Sequence, residues 1–199
     1  MDIKFSGNKI EFKKEVNALD KFVIDFTRIL NRLNIRYVIV SGYVSILFGR
    51  NRASEDIDLI IEKMNLEEFN KFWEEVTKEF ECLNTENKEQ AYNEYLMENV
   101  AIRFAKKGKS LPNMEVKFPK LDLDSLTLSE RKEIKINEDI IFISPFEIQI
   151  PFKLFLGSEK DIEDARYLYK LFKEKIKIAT LEEFVRKLKI EEEYNKYLR

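Results

Sequence analysis

Apolar positions along this chain follow two different periods. Val16, Leu19, Val23, Phe26, Leu30 and Leu33 recur at spacings of three and four, which predicts an amphipathic helix over about residues 13 to 34. The runs "IRYVIV" (35 to 40) and "EDIDLIIE" (55 to 62) are short and β-rich, and read as strands with a short helix, Tyr43 to Phe48, between them. A small hairpin around Ser6-Gly7-Asn8 fits residues 3 to 12, and "NLEE" at 65 to 68 opens a helix through Phe80 carrying Phe69, Phe72, Trp73 and Val76. Residues 100 to 118 read as two strands joined by a Lys/Gly/Pro turn, and "DIIFIS" (139 to 144) as one more. From there the pattern turns helical. "SPFE" places Pro145 at the first helical position, Pro151 is expected to kink or divide that helix, Ser158 starts another, and "TLEE" (180 to 183) caps a final one reaching the C-terminus. The predicted organisation is an α/β core over residues 1–143 followed by a helical subdomain over 144–199.

Composition narrows the chemistry. The 199 residues, 44% of them hydrophobic, suffice for a sizeable core, and 35 basic against 37 acidic side chains leave a net charge of -2. Nucleic-acid contact would therefore have to be local; residues 101 to 120, with six basic residues and one acid, are the most basic stretch. No histidine is present, which excludes His-dependent serine or cysteine catalysis and imidazole metal sites, and a single cysteine, Cys82, excludes an internal disulfide framework. The apolar runs fall short of a membrane span and the N-terminus has no signal-peptide pattern, so the expectation is a soluble, cytoplasmic protein with no membrane partner.

Asp56 and Asp58 sit in what otherwise reads as a buried strand, where unpaired carboxylates are costly. Residues two apart on a strand share a face, with Cα atoms about 7 Å apart, so both side chains can converge on one cation or a close pair. Carboxylates suit Mg²⁺, and two such ions about 3.5 to 4 Å apart clamp the attacking and leaving oxygens of phosphoryl transfer. Glu115, alternating with Met114, Val116 and Phe118 in "NMEVKF", is the candidate third ligand from a neighbouring strand. After "YVIV", Gly42 lets the backbone approach a phosphate, Ser41 or Ser45 offers a hydroxyl, and Arg50 and Arg52 are placed to reach outer phosphates of a triphosphate.

The stretch "VSGYVSILFGRNRASEDIDLII" resembles the signature of the polymerase-beta-like nucleotidyltransferase superfamily: a hydrophobic strand, a Gly-Gly or Gly-Ser turn, about a dozen residues, then Asp-x-Asp. Within it, Arg52 and Ser54 ahead of "DIDL" are similar to AbiEii-like toxin nucleotidyltransferases and allied minimal enzymes. A second block, "ISPFEIQIPFKLFLGSEKDIEDARYL", resembles their later motif, with Lys153, Lys160, Asp161 and Asp164 at the matching positions. The chain departs from the pattern at Ser41, where the first glycine is usual, and at Glu115, where Asp is usual.

The resemblance implies a nucleotidyltransferase fold with a small mixed sheet flanked by helices. It also implies transfer of a nucleoside monophosphate from an NTP to a hydroxyl of an RNA (tRNA among them), a protein or a small molecule. Asp56, Asp58 and Glu115 would hold Mg²⁺ or Mn²⁺, Lys153 would act beside them, and Ser41, Gly42, Ser45, Arg52 and Ser54 would line the nucleotide. A toxin-antitoxin role with an antitoxin partner protein belongs to the same expectation. Each feature also has a plainer account: Glu115 a strand residue paired with a lysine, Lys153 a surface lysine, Asp161 a helix-dipole partner, and the basic hairpin tip ordinary solvated surface. A catalytically degenerate module binding RNA or a partner protein is the alternative from another class.

Overall fold

The computed structural model describes residues 3–199. Among these described residues, nine strands form one mixed sheet: β1 (Ile3–Ser6), β2 (Lys9–Phe12), β3 (Tyr37–Ile39), β4 (Asp56–Ile61), β5 (Phe80–Cys82), β6 (Ile102–Lys106), β7 (Asn113–Lys117), β8 (Lys132–Ile136) and β9 (Asp139–Ile143), in the order β1-β2-β8-β9-β3-β4-β7-β6-β5. The helices are α1 (Ala18–Arg32), α2 (Gly42–Leu47), α3 (Leu66–Val76), α4 (Lys88–Gln90) continued by a π-helical turn (Ala91–Leu96), α5 (Asp122–Ser129), α6 (Phe146–Leu156), α7 (Glu159–Phe172), α8 (Ile178–Leu188) and α9 (Glu191–Leu198). Among the described residues no helix is long and apolar enough to cross a membrane.

Alternation along β4 decides which side of the sheet is core. Ile57, Leu59 and Ile61 are fully buried and share one cluster with Val23, Phe26 and Leu30 of α1 and Phe69, Phe72 and Val76 of α3. Asp56, Asp58 and Ile60 take the opposite face, where α5 covers only the far end through Leu128 against Val38 and Ile60. That shorter cover leaves the aspartate end of β4 open.

The second half does not stand apart from the first. Phe48, just after α2, packs against Phe12, Phe146 and Phe172 at ring separations of 5.5, 5.5 and 4.7 Å, and Phe146 stacks on Phe172 at 4.2 Å. One hydrophobic cluster therefore runs through the residue-143 boundary.

Several element limits differ from the expected ones. α1 begins at Ala18 because Asn17 and Asp20 form a capping box, Asn17 Oδ1 accepting the Asp20 N–H at 2.8 Å and Asp20 Oδ2 the Asn17 N–H at 3.1 Å, which leaves Val16 outside and exposed. α3 stops at Val76, and Phe80 enters β5 instead, pairing antiparallel with β6. Pro145 is the cap of α6 rather than its first residue, and the helix continues through Pro151 to the left-handed Gly157. The final helix is two, divided at Lys189, whose φ of +56° cannot continue a right-handed helix. β8, α5 and the π-helical turn have no counterpart in the sequence reading.

Candidate active site

β4 and β7 run parallel in a register that sets Asp56 beside Asn113 and Asp58 beside Glu115. Neighbours in such a pair share a face, so the three acids and Asn113 occupy one patch at the open end of the sheet. Met114, Val116 and Phe118 are buried, while Glu115 and Lys117 are partly exposed, as the alternation of "NMEVKF" predicts.

Each acid has its own surroundings. Asn113 Nδ2 donates to Asp56 Oδ1 at 2.6 Å, and Arg103 from β6 donates to Glu115 Oε2 at 2.7 Å. Asp58 has no such direct partner in the sheet. Burial pushes its carboxyl above the usual carboxylate range; a hydrogen bond from Ser41 partly offsets this, the Glu115 charge adds to it, and Lys117 and Lys153 draw it down. Among the described residues the acids do not gather into a ready-made group of three ligands, because Asp56 and Glu115 are turned to protein partners.

The turn after β3 carries an unusual backbone. Ser41 caps α2 with φ +65° and ψ -138°, a conformation that favours glycine, and its side chain makes no capping bond to the helix. The N–H groups that open α2 thus lack a side-chain acceptor from Ser41. At Gly42 an added Cβ would lie 2.8 Å from an Arg52 guanidinium nitrogen, so the glycine gives Arg52 room to lie against the turn.

Arg52 is held there by Asp164 of α7. Arg52 Nη1 donates to Asp164 Oδ2 at 2.6 Å, Lys153 Nζ lies 2.8 Å from the same oxygen, and Arg50 pairs with the other. Asp164 is fully buried, and Lys153 is 1% exposed, so the surface-lysine account of Lys153 does not hold. Lys153 also bonds Asp161 at 2.6 Å. Burial raises the Asp161 carboxyl, but hydrogen bonds from Lys153 and Ser158 outweigh it and leave the group below its ordinary value. Arg50 is a strut to α7, donating to the Lys160 carbonyl at 3.1 Å and pairing with Glu163.

The fold thus sets Asp56, Asp58 and Glu115 on one face of the sheet with Ser41 in the turn after β3, and joins Arg52 and Lys153 through Asp164, Arg52 lying against Gly42. Of the other two expected nucleotide contacts, Ser45 is fully buried in α2, its hydroxyl without a partner among the described residues, and the Ser54 hydroxyl donates to the Asp56 carbonyl at 2.9 Å. In the basic hairpin, Arg103 is engaged with Glu115, and Lys106 lies 3.1 Å from Asp25 and 3.0 Å from Glu79. Asn113, Lys117 and Gln149 were not singled out by sequence reasoning. Asn113 had a signal: "NME" repeats the polar-apolar-polar spacing of "DID".

The mixed sheet flanked by helices matches a nucleotidyltransferase-like fold. The structure is similar to that of an antigenic nucleotidyltransferase-like protein from Paracoccidioides brasiliensis, with a TM-score of 0.54 and 19% identity over 89% of this chain and 90% of that chain. It also aligns with JHP933 from Helicobacter pylori, with a TM-score of 0.48 and 16% identity over 92% of this chain and 82% of that one. No protein-family model and no curated protein matches the sequence.

Proposed function

We propose that this protein is a metal-dependent nucleotidyltransferase that moves a nucleoside monophosphate from an NTP to a hydroxyl of an RNA, tRNA included, or of a protein or small molecule. The observation that carries this reading is the register of Asp58 against Glu115, with Asp56 two residues along and the Ser41-Gly42 turn adjoining. The nucleotidyltransferase-like fold is consistent with it.

The donor set fits Mg²⁺ or Mn²⁺: it is all oxygen, and the Asp58 carboxyl is raised by burial and by Glu115, a penalty that a cation beside it relieves. Asp56 and Asp58 would hold the triphosphate-associated ion and, with Glu115, a second. Bound there, such ions neutralise phosphate charge and make the acceptor hydroxyl easier to deprotonate. The Ser41 hydroxyl would favour the ionised form of Asp58, and Gly42 lets the Arg52 guanidinium lie against the turn where phosphates would be met. Arg52 and Lys153 supply positive charge toward the leaving pyrophosphate, prealigned by Asp164. The AbiEii-like toxin-antitoxin assignment rests on the sequence resemblance, and an antitoxin partner comes with it.

A second reading is favoured by the pairing of Glu115 with Arg103 and of Arg52 and Lys153 with Asp164: a catalytically silent module of the same fold that binds RNA or a protein. Label transfer from each α-phosphate-labelled NTP, with Mg²⁺ or Mn²⁺, onto total tRNA and cell lysate separates the two. A labelled RNA or protein that disappears with Asp58→Ala is the expected result. Labelling that persists in that variant overturns the assignment of Asp58, and absence of both transfer and metal-dependent NTP binding leaves the silent module.

A further inference from the structure

Gln149 is buried in α6, one of three polar residues with Glu147 and Lys153 in the otherwise apolar "FEIQIPFKLFL". Its carboxamide meets both polar groups of the Ser41 backbone: Nε2 donates to the Ser41 carbonyl at 2.8 Å, and Oε1 accepts the Ser41 N–H at 3.3 Å. Ser144 Oγ donates to the same Oε1 at 2.6 Å, and the Ser144 N–H is anchored on the Ile39 carbonyl of β3 at 2.9 Å. The amide therefore has one workable orientation. Reversing it would set two donors face to face at the Ser41 N–H and two acceptors at the Ser41 carbonyl.

This clamp falls on the residue that most needs one. Ser41 is a non-glycine residue at φ +65° and ψ -138°, a conformation that persists only when its surroundings enforce it. Glycine would adopt it freely but would bring no hydroxyl to Asp58. The clamp also occupies the Ser41 N–H, so that group is already satisfied within the protein.

We propose that Gln149 is a positioning residue of the nucleotide site, holding the Ser41 turn at its positive φ beside Asp58. It acts through Ser41 and touches no substrate. This rests on the nucleotidyltransferase reading.

The test is a double-mutant cycle of Gln149→Met, which keeps the volume and removes the amide, with Ser41→Gly, which removes the need for it. Two quantities are read for all four proteins: thermal midpoint, and affinity for each of the NTPs titrated with Mn²⁺. Gln149→Met is expected to weaken NTP binding about tenfold when Ser41 is present and much less when glycine is there, with the loss in thermal midpoint shrinking in parallel. Should Gln149→Met fold poorly, Ser144→Ala frees the amide without emptying its site and is expected to show the same rescue by Ser41→Gly on a smaller scale. Equal losses in both backgrounds mean that Gln149 is only packing, which overturns the proposal while wild-type NTP binding leaves the enzyme reading intact. If wild type binds no NTP although the thermal cycle is non-additive, the clamp exists but positions no nucleotide, and both the proposal and the reading beneath it fall.

Discussion

Asp58 of β4 and Glu115 of β7 stand directly opposite each other across a parallel strand pair, their side chains on the same face. Two carboxylates so placed repel, and burial of Asp58 adds to the cost. Arg103 compensates Glu115 alone. Ionising both groups therefore carries a cost, as is common at functional sites.

The raised Asp58 carboxyl has a signed consequence for stability. A carboxyl whose folded value lies above its unfolded value contributes stability that is fully present below the unfolded value, near 3.8, and lost as pH rises through the folded one. Asp58→Asn, which mimics the protonated form, should therefore raise the thermal midpoint of the metal-free protein at neutral pH. The gain should shrink to nothing as pH falls through the raised folded value toward 3.8. Scanning calorimetry with chelator from neutral to acid pH checks this, and the same variant should have lost Mn²⁺-dependent NTP binding.

On the proposed reading of Glu115 as a metal ligand, its ion pair with Arg103 would compete with the cation. An ion pair this exposed is worth up to about 1 kcal/mol, so Arg103→Leu should tighten Mn²⁺ binding about two- to fivefold, and Glu115→Gln should weaken it. Calorimetric titration of Mn²⁺ with a non-hydrolysable NTP analogue measures both. If neither variant changes the affinity, Glu115 is not a ligand.

Asp164 is fully buried against Lys153, Arg50 and Arg52. Its removal leaves Arg52 without an acid partner and takes one of two from Lys153 and from Arg50, so Asp164→Ala should cost about 3–5 kcal/mol in urea denaturation, the penalty of breaking a buried ion pair from one side. Asp161 is more exposed, and its Asn variant should cost far less. Because the Asp161 carboxyl is held low, its contribution is present above the unfolded value and fades as pH falls through the folded one.

Phe48 bridges β2, α6 and α7. Phe48→Ala should cost about 3–5 kcal/mol. The chain should unfold in a single transition by both near- and far-ultraviolet circular dichroism, and a fragment ending at residue 143, which leaves Phe12 and Phe48 without Phe146 and Phe172, should not fold. Two separate transitions would instead show that the C-terminal helices form an independent unit.

Much of this molecule can be read in its sequence by itself. Short apolar runs with period two and longer ones with period three to four report local backbone preference and burial together, so β3, β4, β6, β7 and the body of α1, α3 and α7 are legible one at a time. The pairing of Asp56 and Asp58 on one face is a property of a single strand, and so is the placement of Glu115 away from Met114 and Val116. Elements with little local signal were not legible. α5 buries only Thr127 and Leu128, and β5 is three residues long, so each depends on what it packs against.

Only the tertiary structure decided which groups face one another. Strand register brings Asn113 to Asp56 and Arg103 to Glu115 over separations of 57 and 12 residues. The docking of α6 and α7 buries Lys153 with Asp164 and sets Gln149 on Ser41, 108 residues away. Hydrogen bonds and ion pairs between distant segments leave almost no periodic trace, because a partner's identity depends on where the chain returns rather than on its neighbours in sequence. The candidate ligands are therefore written locally, while their order and charge balance arise from the fold.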